Sequence, residues 1–331
     1  MTTVRLAHGG GGRLARELLE FITGLLGPCL ASTDEDSGVF TLTGTDWAMT
    51  TDSFIITPPF FPGGDIGKLS VCGTINDLVM VGAKPLYLTL ALLLEEGFSL
   101  ADLERVMESV RTEALRNGIK IVAGDTKVAA RGELDGIFIN TAGLGERLCG
   151  DKIGARRARP GDRVLITGSM GDHGGLIMAL RHGFNPGRLR SDCAALTGLL
   201  PLAVEFDIHV MRDPTRGGVA TVLNEIARAS GVDVLLWEEA LPVKEEVKGI
   251  CEILGLDPLY LACEGRALLV CAPEESARIL EELHRREEFA ASREIGEVTG
   301  FSADPKVSLL TITGGRRLLP LPVEELTPRI C

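Results

Sequence analysis

The stretch Ile66-Gly-Lys-Leu-Ser-Val-Cys-Gly-Thr-Ile-Asn-Asp-Leu-Val-Met-Val-Gly82 reads as a largely apolar helix, entered from the turn Phe60-Phe-Pro-Gly-Gly-Asp65. Asn76 and Asp77 interrupt its apolar character. Aspartate is a poor helix-interior residue, and burying one without a partner is costly. Asp77 therefore either faces solvent or points inward as a ligand; the apolar density around it favours the inward reading.

Strands are expected on both sides of this helix. Before it, Trp47-Ala-Met-Thr-Thr-Asp52 is strand-like and ends on a carboxylate, with Asp34-Glu-Asp36 further upstream. After it come a buried strand over Leu86–Leu93 and a helix with a charged face over Leu100–Asn117. Ile119-Lys-Ile-Val-Ala-Gly124-Asp125-Thr-Lys127 reads as a strand running into a Gly-Asp turn, and Ile137–Gly145 as another strand. Carboxylates at strand ends are the usual ligand-binding groups of an α/β domain. Asp36, Asp52 and Asp125, converging with Asp77, would make a Mg²⁺ site of hard oxygens completed by phosphate and water. At the amino terminus, the run from Gly9 through Gly10 and Gly11 to Gly12 precedes an amphipathic helix over Arg13–Leu26. Four glycines hold no single conformation, so they form either a flap that closes its N–H groups over phosphate oxygens or a flexible linker.

The texture changes near residues 150–160, where Arg156-Arg-Ala-Arg-Pro-Gly-Asp162 marks a boundary. A strand from Arg163 leads through Gly168-Ser-Met-Gly-Asp-His173-Gly-Gly into a helix over Leu176–Arg181, again a phosphate-friendly geometry. No G-x-G-x-x-G fingerprint and no G-x-x-x-x-G-K-[ST] accompanies it, which argues against a Rossmann enzyme or P-loop NTPase. Met211-Arg-Asp213-Pro-Thr-Arg-Gly-Gly218 opens a helix through Ser230, where Asp213 alone could be an ordinary cap. Glu264-Gly265 precedes a strand over Arg266–Cys271, followed by a helix over Pro273–His284 and a last strand over Val307–Ile312. Strand, glycine-acid turn and helix recur in both halves. The expected architecture is α/β (α+β) with domains over 1–155 and 156–314 and an extended tail over 315–331.

The charge of −12 argues against a nucleic-acid groove or a polybasic membrane contact. No apolar leader opens the sequence, and the apolar run Leu86–Leu94 is too short to span a bilayer, so a cytoplasmic location is expected. The 8 cysteines show no C-x-x-C pair or zinc spacing, and no structural disulfides are expected. The last of them, Cys331, closes a tail in which Pro320, Pro322 and Pro328 forbid a regular helix. A dozen extended residues reach roughly 40 Å. Such a tail is either a frayed end with an incidental cysteine or a tether that brings a thiol to a pocket as substrate.

Several strings combine into a specific pattern: HGGGG at His8–Gly12, TTDSF at Thr50–Phe54, FFPGGDIGKLSVCGTINDL at Phe60–Leu78 and GAKPLYL at Gly82–Leu88. GDTKV at Gly124–Val128, GDHGG at Gly171–Gly175, DPTRGG at Asp213–Gly218 and the terminal PRIC complete it. Together, over His8–Cys331, they resemble the HypE family of hydrogenase maturation proteins, the carbamoyl dehydratases of the aminoimidazole ribonucleotide synthetase-like (PurM-like) ATP-binding superfamily. The resemblance implies a two-domain PurM-like fold and a homodimer in which strands of two amino-terminal domains share a barrel, with ATP near the interface. It implies ATP-dependent conversion of an S-carbamoyl group on Cys331 to S-cyano. HypF would be the carbamoyl donor and the HypC–HypD complex the acceptor of cyanide for the iron of [NiFe]-hydrogenase.

On this resemblance Asp36, Asp52, Asp77, Asp125 and Asp213 are the candidate Mg²⁺ ligands. Lys68, Asn76, Thr126 and the glycine flap are candidate nucleotide contacts. Glu264 is the candidate base for the amide protons, and Lys127 the group that orients the carbamoyl or stabilises charge on its oxygen. His173 is a further catalytic candidate, although a histidine in a glycine turn more often contacts phosphate or backbone. One departure stands out: the family pattern Ala-Asn-Glu-Gly here reads Ala262-Cys263-Glu264-Gly265. Two other readings stay open: another PurM-like synthetase or kinase acting on selenophosphate or thiamine phosphate chemistry, and a non-catalytic carrier of a modified cysteine.

Overall fold

The computed structural model describes Thr3 and residues 13–29, 46–321 and 330–331. The glycine flap Gly9–Gly12 and Asp36 lie outside the described residues. The amino-terminal half contains α1 (Arg13–Leu26), β1 (Trp47–Phe54), β2 (Phe60–Phe61), β3 (Gly64–Asp65) and α2 (Ile66–Met80). It continues with β4 (Ala83–Glu95), α3 (Leu100–Arg116), β5 (Lys120–Ala129) and β6 (Ile137–Arg147). Four of these strands form a sheet in the order β1-β6-β4-β5. Only β4 and β5 run parallel, with α3 as their crossover.

Helix α2 is the axis of this half. The Asp65 carboxylate caps it by accepting the Lys68 N–H at 2.9 Å, and its other oxygen accepts the Ser109 hydroxyl of α3 at 2.5 Å. Apart from Lys68 and Asp77 every residue of α2 is buried, between the sheet on one side and α3 on the other. Leu88, Leu90, Leu92 and Leu94 of β4 pack toward this core, while Tyr87, Thr89, Ala91 and Leu93 alternate onto the opposite face. No helix among the described residues covers that opposite face. Met49 of β1, 76% exposed, stands on it.

Two sequence expectations change here. Strand β5 continues through Gly124 and Asp125 to Ala129, so the Gly-Asp pair is no turn. Gly124 pairs with Leu90 so closely that a Cβ would stand 2.7 Å from the Leu90 carbonyl oxygen; the glycine serves strand contact. Strand β4 is longer than Leu86–Leu93 and includes Pro85, tolerated because the β4–β6 register shifts between Pro85 and Tyr87.

The carboxy-terminal half holds β7 (Arg163–Ile166), α4 (Asp172–Arg181), α5 (Leu200–Glu205), β8 (Ile208–Arg212), α6 (Gly218–Ser230) and β9 (Val232–Trp237). Then come α7 (Glu245–Leu254), β10 (Leu268–Cys271), α8 (Ser276–His284), β11 (Arg293–Phe301), β12 (Val307–Leu310) and β13 (Arg316–Leu318). Its sheet has the order β13-β12-β9-β11-β7-β10-β8. Strand alternation feeds two cores: Val164, Ile166, Leu268 and Val270 pack on the α6 side, and Leu165, Leu269 and Cys271 on the other, with α4 and α8. Met211 and Arg212, expected at a helix start, finish β8 instead, and α6 begins only after Pro214 and the positive-φ Gly217 (76°). Arg316–Leu318, expected in the tail, adds an edge strand to β12.

The halves are pinned together by Asn76. Its Nδ2 donates to the carbonyls of Ala194 (3.0 Å) and Glu264 (3.4 Å), and its Oδ1 accepts the Leu196 N–H at 2.8 Å. No described helix is long and apolar enough to cross a membrane.

Candidate active site

Three carboxylates gather where β1, α2 and the end of β8 meet. Asp52 is on the α2-facing side of β1, its Oδ2 within 3.8 Å of where a Cβ on Gly73 would sit. Asp77, one turn further along α2, accepts the Thr50 hydroxyl at 2.7 Å. Asp213 follows β8 directly. Asp77 thus opens into a cleft of about 600 Å³ between the halves, lined also by Thr50, Asp213, Thr215, Arg216 and Glu225.

Burial raises the Asp77 carboxyl, and burial followed by the Asp77 charge raises that of Asp52. Burial and the Asp77 charge, with a smaller contribution from Asp52, push Asp213 up to about 7. Arg212 and Arg216 offset part of this repulsion. Burial, with the Asp77 charge acting on Asp52 and Asp213, leaves the cluster short of positive charge despite the two arginines, and hard oxygen donors beside a cleft suit a divalent cation carrying phosphate. No preformed cage of three ligating side chains exists among the described residues. Mg²⁺ does not require one, because it keeps water and phosphate oxygens in most of its octahedron.

Behind the carboxylates lies a buried polar layer built on the irregular segment Ser191–Leu196. Glu264 is 2% exposed, and its Oε1 has no hydrogen-bond partner. Burial, then the neighbouring Cys193, Asp192, Asp213 and Asp52, hold its carboxyl well above the usual range. Its backbone N–H donates to Asp192 Oδ1 at 3.3 Å, while Asp192 Oδ2 stands 3.8 Å from the Arg266 guanidinium. Cys193 hydrogen-bonds the Cys72 thiol of α2, and that contact together with burial pushes its own thiol well up. Cys263, the departure from the family pattern, is wholly buried, and its sulfur accepts the Gly171 N–H at 3.1 Å. The substitution thus leaves the loop with an acceptor.

Gly265 makes this layer possible. A Cβ there would stand 1.9 Å from the Asp192 carbonyl oxygen, so the two backbones touch. Gly265→Ala is expected to cost about 2–3 kcal/mol in a urea titration and to displace Glu264; unaltered stability would refute the contact.

The end of the chain enters the same region. Ile330 is buried, and its carbonyl accepts from His173 Nε2 at 2.8 Å. A Cys331 carbonyl-type oxygen accepts the Ile55 N–H at 3.1 Å, three residues beyond Asp52. Cys331 is half-buried against the interdomain core.

The other expected site residues stand apart within one chain. Asp125 and Lys127 form an exposed ion pair of 3.3 Å on β5, with Thr126 between them. Strands β6 and β4 separate β5 from β1, so Asp125 and Asp52 lie at opposite sheet edges, about 14 Å apart at ordinary strand spacing. Asn76 is engaged in the interdomain clamp. Lys68 Nζ donates to the Gly63 carbonyl at 3.1 Å. Sequence reasoning missed Arg212, Arg216, Ser191, Asp192 and Arg266. Arg216 lies inside the DPTRGG string, but the Ser191–Leu196 segment has no periodicity that would single it out.

This fold and site define a class. The AIR synthase related protein, N-terminal domain, matches residues 34–147, and the AIR synthase related protein, C-terminal domain, matches residues 159–304. Carbamoyl dehydratase HypE of Azotobacter vinelandii is 45% identical over 336 residues, covering 99% of this chain and 97% of that protein. A crystal structure of hydrogenase maturation protein HypE in complex with ATP superposes with a TM-score of 0.94 at 44% identity, covering 99% of this chain and 100% of that one. A HypE–HypF complex structure matches with a TM-score of 0.80 at 42% identity, over 94% of this chain and 100% of that one. The chain belongs to the HypE family of hydrogenase maturation proteins.

Proposed function

We propose that this protein is an ATP-dependent carbamoyl dehydratase whose substrate is its own Cys331, carried as an S-carbamoyl group and released as S-cyano. The observation that carries this reading is the inward tail. Ile330 and Cys331 are anchored by His173 and Ile55, three residues beyond Asp52, and His173 in turn holds Ser191, next to the Asp192 that accepts the Glu264 N–H.

The chemistry follows from the poor leaving ability of an amide oxygen. ATP transfers its γ-phosphoryl group to that oxygen, breaking the bond to ADP and forming a carbon–oxygen–phosphorus linkage. Loss of both N–H protons and of phosphate then leaves C≡N on sulfur, with ADP and phosphate as the other products. Mg²⁺, held by Asp52, Asp77 and Asp213 with Asp36 and Asp125 as further ligands, would neutralise the phosphate charge. Lys68, Thr126 and the Gly9–Gly12 flap hold nucleotide in this reading, and Lys127 orients the carbamoyl group. Glu264 takes a proton from nitrogen, and the buried layer behind it excludes water that would hydrolyse the carbamoyl ester. Tethering spares the reaction a diffusional encounter.

The sheet face that no described helix covers, with both β1 and β5 at edges, is closed by a second copy into a shared barrel. That places Asp125 and Lys127 of one copy within reach of the other's β1. HypF donates the carbamoyl group, a reading supported by the HypE–HypF complex of a 42% identical relative. The HypC–HypD complex accepts the cyanide, in the cytoplasm.

The test is intact mass spectrometry of the HypF-carbamoylated protein before and after Mg-ATP. Loss of one water mass, mapped to Cys331, is the expected result. ATP consumption with no mass change would point to a small-molecule synthetase or kinase. Neither change would make the protein a carrier.

A further inference from the structure

We propose that His173 is the latch of the carboxy-terminal peptide, a positioning residue that sets where Cys331 stands by donating its Nε2–H to the Ile330 carbonyl. The inference rests on the reading of Cys331 as a tethered substrate, but its geometry is independent of the chemistry done there.

The tautomer follows from the partners. A backbone carbonyl only accepts, so the 2.8 Å contact to Ile330 requires the proton on Nε2. In the neutral ring Nδ1 is then an acceptor, and the Ser191 hydroxyl at 2.7 Å is its donor. Ser191 Oγ in turn accepts the Cys193 N–H at 3.1 Å, which leaves the hydroxyl proton for the imidazole. The ring is wholly buried and packs edge-to-face with Phe61 at 5.3 Å. Burial lowers its pKa to about 4, so the ring is neutral throughout the neutral range. Both nitrogens are occupied, one by backbone, and His173 has no proton available for an acid or base step.

The latch has a second point. The Ile55 N–H holds the last residue at 3.1 Å from the amino-terminal half, while His173 belongs to the carboxy-terminal half. Docking the peptide therefore bridges the two halves, next to Ser191, which holds the His173 ring, and Asp192, whose carboxylate accepts the Glu264 N–H. A grip made of non-covalent contacts is reversible. That suits a thiol that must leave to be loaded by a partner and return to be dehydrated.

The test uses the full-length protein and the alkylation rate of Cys331 by iodoacetamide, read by mass spectrometry of the carboxy-terminal peptide, with buried Cys193 as an internal control of folding. His173→Phe removes the donor and is expected to speed Cys331 alkylation about tenfold, the equivalent of one net hydrogen bond. His173→Gln, whose amide nitrogen reaches the Nε2 position, should stay near wild type. Ser191→Ala, which frees the ring to take the other tautomer, should fall between them, and it decides the matter if the His173→Phe protein exposes Cys193 as well. Unchanged Cys331 reactivity in both His173→Phe and Ser191→Ala would overturn the latch. So would a His173→Gln protein as reactive as His173→Phe. Because the readout needs no ATP, a confirmed latch without nitrile formation would fault the proposed reaction alone.

Discussion

Glu264→Gln is expected to lower nitrile formation by about 10²–10⁴-fold, the range over which a positioned base contributes, and to leave the fold intact. The reason is the state of the carboxyl. Burial, then the neighbouring Cys193, Asp192, Asp213 and Asp52, raise its pKa well above the usual carboxylate range. Glutamine has nearly the same shape and carries no charge, so the substitution introduces no new buried charge. What it removes is the capacity to take a proton. The raised pKa also makes the carboxylate, once ionised, a stronger base than an ordinary glutamate, and activity of the native protein should climb with pH as Glu264 ionises. Single-turnover dehydration of the carbamoylated protein, with urea midpoints measured in parallel, checks both halves. Full activity in Glu264→Gln would remove it from the chemistry. Lost activity with a collapsed midpoint would show a structural effect.

The second large effect concerns two carboxylates at opposite sheet edges. Asp52→Asn and Asp125→Asn should each reduce dehydration by about 10²-fold or more, as expected when a preorganised charge at a phosphoryl-transfer site is deleted. Mixed together in one dimer they should rescue each other. If each site takes Asp52 from one copy and Asp125 from the other, a mixed dimer has one site with both substitutions and one with neither. Random pairing at equal amounts makes half the dimers mixed, so about one quarter of native activity should return. Differently tagged chains, co-expressed and separated, give this measurement directly. Mixed dimers as inactive as the parents would mean that each site draws both carboxylates from one chain. Activity in the Asp125→Asn parent would take Asp125 out of the site.

Much of this could be read along the chain. The periodicity of α1 and the apolar run of α2 are properties of a few consecutive turns, and both helices form where that pattern lies. The motif strings around Asp52, Asp77, Asp213 and Glu264 were legible because glycine, proline and acid at short spacing are unusual within one element. The strand through Gly124-Asp125 was misjudged as a turn for the converse reason. A glycine beside an acid has a local preference for turns, and the demand for close approach to Leu90 comes from another strand.

The sequence by itself determined the two α/β halves, the family, the chemical kinds of residue available and a terminal thiol on a proline-rich tether. Tertiary structure alone decided which of them meet. Asp52, Asp77, Asp213 and Glu264 converge because two domains pack across α2. Asn76 became a clamp because Ala194, Leu196 and Glu264 present backbone groups to it. His173 met the tail because Ser191 and Phe61 orient its ring toward Ile330. Most of these contacts join residues more than a hundred positions apart, and no periodicity within a single element encodes them. Their partners are set by sheet register and domain packing, which depend on the whole chain at once.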